Sequence, residues 1–111
     1  MKVINRIKKS EDFLVTIKKG KTYRSEGFTI HICKNSLSHI RVGLSVSSKI
    51  GNAVTRNRIK RQVRAMCDSV LEYDSSNLDI VIVVRKPYLD GQYSDNLLQL
   101  SNLLNAQVGK K

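Results

Sequence analysis

Hydrophobic and polar positions alternate with a period of two in the middle of the chain. Phe28, Ile30 and Ile32 fall on one face of a strand, and the residues between them fall on the other. The same alternation runs from Ile40 to Ser47, after a short turn sequence rich in serine. Two neighbouring strands with a short connection predict an antiparallel pair with one apolar face and one small, polar face.

Three other segments have the spacing of helices. The first begins near Ser10, a candidate N-cap, and is expected to stop at Gly20 in a left-handed conformation. A second helix is expected to begin at Asn52, and a third at Ser94, with a leucine stripe at positions 97, 100 and 104. The apolar residues of the second helix recur at spacings of three, four and seven: Ile59, Val63, Met66, Cys67, Val70 and Leu71.

A continuous apolar run from Ile80 to Val84 predicts one more strand, covered on both faces and ended by Pro87. The order of elements is then α-β-β-α-β-α. No linker interrupts it, so the chain is expected to form a single domain over residues 1–111, an α/β sandwich. The pattern leaves open whether the last strand runs parallel to its neighbour.

The charge of the chain is strongly positive and unevenly distributed. Among 111 residues there are 20 Lys and Arg against 9 Asp and Glu, a net charge of +11. Residues 1–64 hold 16 of the basic and 3 of the acidic groups, so the positive charge lies in the first part of the chain. Such a charge favours nucleic acid or an anionic membrane surface as the partner.

The cysteines and the apolar segments indicate in which cellular compartment the protein works. Cys33 and Cys67 stand apart from each other and from any histidine cluster, so they predict neither a metal site nor a disulfide. Both are expected to be buried free thiols, which suits a reducing cytoplasm. The N-terminus lacks the apolar run of a signal peptide, and no apolar segment is long enough to span a membrane. We therefore expect a cytoplasmic protein without a membrane partner.

The segment KIGNAVTRNRIKRQVR, from Lys49 to Arg64, carries six positive charges and no negative one. On a helix, Arg56 and Arg58 point to opposite sides of a central polar stripe. Like charges at this spacing repel by a few tenths of a kcal/mol, which a merely solvated helix avoids by mixing signs. The segment therefore predicts a polyanion-binding surface. The stripe consists of Asn57, Lys60, Arg61 and Arg64.

Four segments of the sequence resemble those of a known family. SSKIGNAVTRNRIKRQVR is similar to the RNR motif of the bacterial ribonuclease P protein subunit, and RIKKSEDF is similar to its N-terminal signature. RVGLSVS and DIVIVVRKP are similar to the strands before and after the motif. The resemblance covers residues 5 to 88. It implies a sheet packed by helices, with an unusual left-handed βαβ crossover that carries the basic helix.

The resemblance also implies a function. The family assists the endonucleolytic removal of the 5′ leader from precursor tRNA, which gives the mature 5′ end. Catalysis belongs to the RNA subunit and the Mg²⁺ ions it holds, so the chain is expected to be the accessory subunit of an endoribonuclease, without catalytic side chains or a metal site of its own. Its partners would be the catalytic RNA and precursor tRNA, with no further protein required.

Two groups of residues follow from the family's motifs. Those expected to contact the catalytic RNA are Lys49, Asn52, Arg56, Asn57, Arg58, Lys60, Arg61 and Arg64, with Arg6, Lys8 and Lys9 of the N-terminal basic cluster. Those expected to line the cleft for the single-stranded leader are Phe13, Ile17, Thr29 and His31. Phe13 and Ile17 are one helical turn apart, and Thr29 and His31 share a strand face, which agrees with such a cleft.

The chain departs from the family's pattern at two positions of this cleft and at one before the basic helix. Ile17 stands where relatives often have an aromatic residue, His31 where tyrosine is common, and Ser48 where lysine is usual. An aliphatic residue at position 17 removes one stacking platform, whereas a histidine can still stack on a base. The residues alone leave open that Phe13 and Ile17 are ordinary core contacts and that His31 is a strand residue without a special role.

Three other classes of protein offer alternative explanations of this charge. A structural RNA-binding protein, such as a ribosomal protein, accounts for the charge equally well, and only the long motif separates it from a ribonuclease P subunit. A helix-turn-helix DNA-binding protein is disfavoured because the basic helix lies between strands. Attachment to a membrane surface needs a free apolar face opposite the charges, and here that face is expected to pack in the core.

Overall fold

A four-stranded sheet forms the centre of the fold, and the computed structural model describes it together with the rest of residues 1–108. The chain also forms two short 3₁₀ helices within these residues, at Val3–Asn5 and Lys86–Asp90. The predicted α/β class is confirmed. The strands are β1 (Lys21–Arg24), β2 (Phe28–Lys34), β3 (Arg41–Ser45) and β4 (Leu78–Val84), and the helices are α1 (Ser10–Lys19), α2 (Ala53–Val70) and α3 (Tyr93–Asn105).

The order of the strands across the sheet is β1-β2-β4-β3, so the predicted antiparallel pairing of β2 with β3 is wrong. β4 lies between them, antiparallel to β2 and parallel to β3. The physical reason is burial, because Ile80, Val81 and Ile82 are all fully covered and only a central strand has both faces covered. Helix α2 makes the crossover from β3 to β4, and the hand of this crossover stays a prediction.

Strand β1 was not expected from the pattern. Its sequence, KTYR, is polar and mostly exposed, so it lacks the alternation of a half-buried strand. It forms because the turn at residues 25–27 returns the chain onto β2, where Lys21 pairs with Ile32 and Arg24 with Thr29. β1 is therefore an edge strand that pairs through its backbone, with further contacts from Thr22 to His31 and from Tyr23 to the core.

The hydrophobic core lies between one face of the sheet and helices α2 and α3. The ring of Phe28 meets Tyr88 edge to face, with the ring centroids 5.5 Å apart. The apolar stripe predicted for α2 is confirmed, since all six of its residues are buried. Of the predicted leucines in α3, Leu100 and Leu104 are fully buried and Leu97 is partly buried.

The start and end of α1 differ from the prediction. The helix begins at Ser10 itself, so Lys9 occupies the cap position and no side chain caps it. Gly20 is extended, with φ −73°, and does not end the helix in a left-handed conformation. A glycine is needed here for space, because a Cβ atom would lie 2.5 Å from the carbonyl oxygen of Thr16 and 2.9 Å from that of Ile32.

Only one of the predicted caps is present. Asn52 caps α2, where its Oδ1 accepts a hydrogen bond from the backbone N–H of Thr55 at 2.9 Å. Ser94 lies inside α3, because Gln92 occupies the cap position of that helix. The first turn of α3 is fixed by the buried Asn96, which donates a hydrogen bond to the carbonyl oxygen of Tyr88 at 3.0 Å.

The two cysteines have different environments. Cys67 lies in the core as predicted, and burial raises the pKa of its thiol to about 12. Cys33 is only half-buried, so the prediction of a buried thiol is wrong for it. The reason is its place on β2, where it points to the sheet face opposite the core.

Candidate nucleic-acid interface

Helix α1 crosses the face of the sheet that points away from the core. At its beginning, Phe13 packs directly on Gly43 of β3, where a Cβ atom would lie only 2.8 Å from two ring atoms. At its end, Gly20 abuts the backbone of Ile32 on β2. The helix therefore runs diagonally across the sheet, and the glycine in β3 allows the aromatic ring to lie close to the strand.

An ion-pair network fixes α1 on the sheet. The guanidinium of Arg41 donates two hydrogen bonds to the carboxylate of Asp79, at 2.6 and 2.9 Å, and a longer one of 3.4 Å to Asp12 of α1. The hydrogen bond with Asp79 raises the pKa of Arg41, and both carboxylates add to the effect. One half-buried cation thus joins β3, β4 and the first turn of α1.

A strip of the same sheet face is only partly covered by α1, which packs on it at Gly43. The strand register places two rows of side chains across the four strands. Ser45, Val83 and His31 are half-exposed, whereas Thr29 is buried and its hydroxyl accepts a hydrogen bond of 3.4 Å from Arg85. This strip, with Phe13 and Ile17 of α1 at its side, is called the cleft below. The first row is Arg24, Thr29, Val83 and Ser45, and the second is Thr22, His31, Val81 and Gly43.

The structure thus places the four residues predicted for the leader cleft on one side of the sheet. Phe13 and Ile17 are half-buried on α1, while Thr29 and His31 belong to β2. Sequence reasoning missed Ser45, Val83 and Arg85, although the alternation in their strands would have assigned the first two to a face. What was lacking was the strand order, because only β4 at the centre brings these residues beside Thr29.

His31 presents an uncharged ring at neutral pH. Its Nδ1 lies 3.0 Å from the hydroxyl of Thr22 on the neighbouring strand. Burial lowers the pKa of His31 below its ordinary value, and the positive charge of Arg24 lowers it further. A neutral, half-exposed imidazole offers a flat surface for stacking and adds no charge to the cleft.

The predicted RNA-contacting residues lie along one exposed side of α2 and the turn before it. Within residues 1–108, no ion pair involves any cation of this helix. The Nε atom of Arg56 is buried and has no hydrogen-bond partner. Asn52, as the cap, keeps its amide NH₂ group free to donate. Lys49, Asn52, Asn57, Arg58 and Arg61 are exposed, and Arg56, Lys60 and Arg64 are half-buried.

The N-terminal segment continues this cationic surface around the edge of the sheet. It runs beside β3, where the backbone N–H of Ile7 donates a 3.0 Å hydrogen bond to Val42. This places Arg6 with Lys60 and Arg64 around a shallow hollow of about 200 Å³ that also reaches Phe13. Burial lowers the pKa of Arg64, and the charge of Arg6 lowers it further. The cations predicted on α2 and the N-terminus therefore meet at the entrance of the cleft.

Lys8 and Lys9 lie on the other side of Phe13. Both are exposed and line a second hollow, of about 260 Å³, with Phe13 and Leu14. Over the described part of the chain, there is no group of three or more His, Cys, Asp or Glu side chains placed to hold a metal ion. None of the described helices is long and apolar enough to cross a membrane. The groups brought together here are thus cations around an aromatic and polar groove.

A model of the family described as ribonuclease P matches residues 1–107. The chain belongs to the ribonuclease P protein family. Among curated relatives, the ribonuclease P protein component of Bacillus mycoides is 42% identical over 96 residues, which cover 86% of this chain and 84% of the relative. The Bacillus cereus protein of the same name has the same identity and coverage. The predicted family is therefore confirmed.

Solved structures of the family agree with the fold. The RNase P protein of Staphylococcus aureus matches with a TM-score of 0.82 and 34% identity, over 94% of this chain and 96% of that one. The protein from Thermotoga maritima matches with a TM-score of 0.76 and 30% identity, over 89% and 94% of the two chains. The chain thus has the role of a ribonuclease P protein component in tRNA processing, as part of an endoribonuclease made of protein and RNA.

Proposed function

We propose that the chain binds the catalytic RNA of ribonuclease P through α2 and the N-terminal segment, and holds the 5′ leader of precursor tRNA in the cleft. The observation that carries this proposal is the junction of the two surfaces. Arg6, Lys60 and Arg64 share one hollow with Phe13, so the cationic surface is continuous with the cleft. An RNA bound along α2 therefore lies next to the place where a single strand enters.

The cations of α2 suit a folded RNA backbone. Arginine can bind a phosphate with two parallel hydrogen bonds, and Arg56 and Arg58 leave the helix on opposite sides of Asn57. Their charges are not compensated by ion pairs in residues 1–108, so a phosphate would remove a repulsion that the free protein carries.

The cleft suits a single strand rather than a duplex. One wall carries the ring of Phe13 and the floor carries the neutral ring of His31, and each base stacked on an aromatic ring gains about 1–3 kcal/mol. Ile17 offers apolar contact but no stacking, so we expect fewer stacked bases here than in a relative with an aromatic residue at this position. Arg24 and Arg85 stand near the floor and can neutralise phosphates.

We assign the hydrolytic step to the RNA subunit and the Mg²⁺ ions that it holds. The carboxylates of Asp12 and Asp79, on the same side of the sheet as the cleft, are both engaged by Arg41, which supports a role in structure rather than in catalysis. The chain would supply binding and orientation of the substrate. The free thiols of Cys33 and Cys67 support a place in the cytoplasm. No further protein partner is required by this proposal.

Reconstitution tests the proposal directly. The protein is mixed with a bacterial ribonuclease P RNA at low Mg²⁺ concentration, and cleavage of precursor tRNA is measured with and without protein. We expect strong stimulation, because the protein adds substrate binding that the RNA lacks when its own charges are poorly screened. Leu98→Ala, an exposed change on α3, should stimulate like the wild type. A protein that binds the RNA without stimulating cleavage would instead favour a purely structural RNA-binding role.

A further inference from the structure

A second cationic hollow lies at the opposite edge of the sheet from the N-terminal segment. Its volume is about 420 Å³, and Tyr23, Ile32 and Leu78 form its apolar part. Lys21 and Tyr23 of β1 point to the same side, because they pair with Ile32 and Ile30. We call this site the corner hollow. Its lysines are Lys19, Lys21 and Lys34, all three exposed.

The chemistry of the corner hollow fits a single-stranded nucleic acid. Among the described residues, no acidic side chain lines it and no ion pair involves its lysines. Lysines on an edge strand also prevent unwanted strand pairing, but that role needs no apolar hollow between them. A half-buried tyrosine beside three free cations offers a stacking surface for a base and charges for the adjoining phosphates.

The strand register shows how a strand could arrive there. The cleft begins at β3, beside the cations of α2, and its first row ends on β1 at Arg24. A strand that enters at β3 and follows this row leaves the sheet over β1. From Arg24 to Lys21 the edge strand covers three residues, about 10 Å, and its outer backbone groups are unpaired by any described strand. The exposed side chains of Thr22 and Arg24 line this path.

We propose that the corner hollow binds the distal part of the precursor tRNA leader, beyond the nucleotides held in the cleft. One base would pack against Tyr23, and the neighbouring phosphates would contact Lys21 and Lys34. The inference rests on the proposed function, since it requires a leader in the cleft. It assigns the β1 edge to the substrate and the β3 edge to the catalytic RNA.

Leader length tests the proposal. The holoenzyme is assayed for affinity toward precursor tRNAs with leaders of about 4 and about 16 nucleotides, the usual range of site size for a small single-strand-binding domain. We expect the wild type to prefer the longer leader. The double variant Lys21→Ala, Lys34→Ala should lose about tenfold in affinity for the longer leader and less than twofold for the shorter one. Both side chains are exposed, so the urea midpoint of the variant should equal that of the wild type.

The control is Leu98→Ala, an exposed change on α3 that should change neither affinity by more than twofold. Equal losses of the double variant on both leaders would assign the corner hollow to the catalytic RNA and overturn the proposal. An unchanged affinity for the longer leader would overturn it too, while the cleft stays intact. A wild-type holoenzyme that binds precursor and mature tRNA equally would overturn the proposed function as well.

Cysteine labelling gives a second measurement without altering the charges. Cys33 borders the corner hollow, although it points to the opposite face of β2. It is half-exposed whereas Cys67 is fully buried, so a maleimide should modify Cys33 selectively. In the holoenzyme, bound precursor with the longer leader should slow this labelling several-fold, and the shorter leader should leave it unchanged. Cys33→Ser should abolish the labelling and so identify the thiol. The same labelling rate with both leaders would contradict the proposal.

Discussion

At the scale of the residue, the cleft depends on Gly43, which has no side chain. Gly43 lets the ring of Phe13 lie against β3, and any larger residue there would push the ring away from the strand. Phe13 keeps part of its surface exposed although it packs so closely. It is therefore both a contact of α1 with the sheet and the aromatic wall of the cleft.

Phe13→Ala should separate these two roles. We expect about a tenfold loss in affinity of the holoenzyme for precursor tRNA, since one stacked base is worth about 1–3 kcal/mol, and little loss for mature tRNA, which has no leader. Leu14→Ala is the matched control, because Leu14 follows on the same helix with 64% of its surface exposed. Equal losses for the two tRNAs would show that the ring acts only through the fold.

The helix ends show which single-residue roles can be predicted from local sequence. Asn52 was predicted as a cap because its side chain bonds within three residues, and it is one. Gly20 and Ser94 are residue types that are common at helix ends. Their roles were predicted wrongly because tertiary packing decides them. Gly20 is fixed by the nearby backbone of β2, and the start of α3 is set by the contact of Asn96 with Tyr88.

At the scale of the element, Arg41 holds α1 over the sheet. Its bond to Asp79 is short and buried, whereas its bond to Asp12 is longer and partly exposed. The position of α1, and with it one wall of the cleft, therefore depends mainly on the pairing within the sheet. The strip of floor beside α1 stays open because the helix is anchored at the other end of β3 from Ser45.

Arg41→Ala should destabilise the protein by about 3 kcal/mol, because it leaves the buried carboxylate of Asp79 without its cation. Asp12→Asn should cost less than about 1 kcal/mol, since that pair is exposed and long. Urea unfolding of both variants measures the two values. Similar losses would mean that the ion pair to α1 carries more of the stability than its geometry indicates.

Elements were predicted better than their arrangement. The α2 stripe and the apolar run of β4 are local patterns, and both were confirmed. The pairing of β2 with β3 was inferred from a short connection. The burial of Ile80, Val81 and Ile82, whose side chains alternate between the two faces, instead agrees with β4 at the centre. β1 has no pattern of its own and could not be found without the strand that it pairs with.

At the scale of the whole molecule, the net charge of +11 is concentrated on a surface that starts at α2 and passes the N-terminal segment. The last part of the chain, with α3 and most of its acidic residues, supports the core behind it. Such a distribution raises the local concentration of a polyanion and makes its binding depend on salt.

The affinity for the catalytic RNA should fall with salt concentration by a predictable amount. If α2 and its neighbours neutralise about six phosphates, a plot of log K for the catalytic RNA against log salt should have a slope of roughly −4 to −5. Arg61→Ala, on the exposed side of α2, should make the slope shallower by about one and leave the urea midpoint unchanged. Leu98→Ala, an exposed change on α3, should not alter the slope. A flat plot would overturn the electrostatic account, and an unchanged slope for Arg61→Ala would place the contact elsewhere.

The central position of β4 has a consequence for the order in which the protein folds. β4 follows α2 in the sequence, yet it must insert between β2 and β3, which are made earlier. During synthesis β3 therefore has no described strand to pair with until residue 84 has emerged. Val42 can accept its hydrogen bond from Ile7 earlier, but the ladder with β4 waits for a partner distant in sequence. The helix that meets the RNA thus becomes a fixed surface only after the strand that follows it is in place.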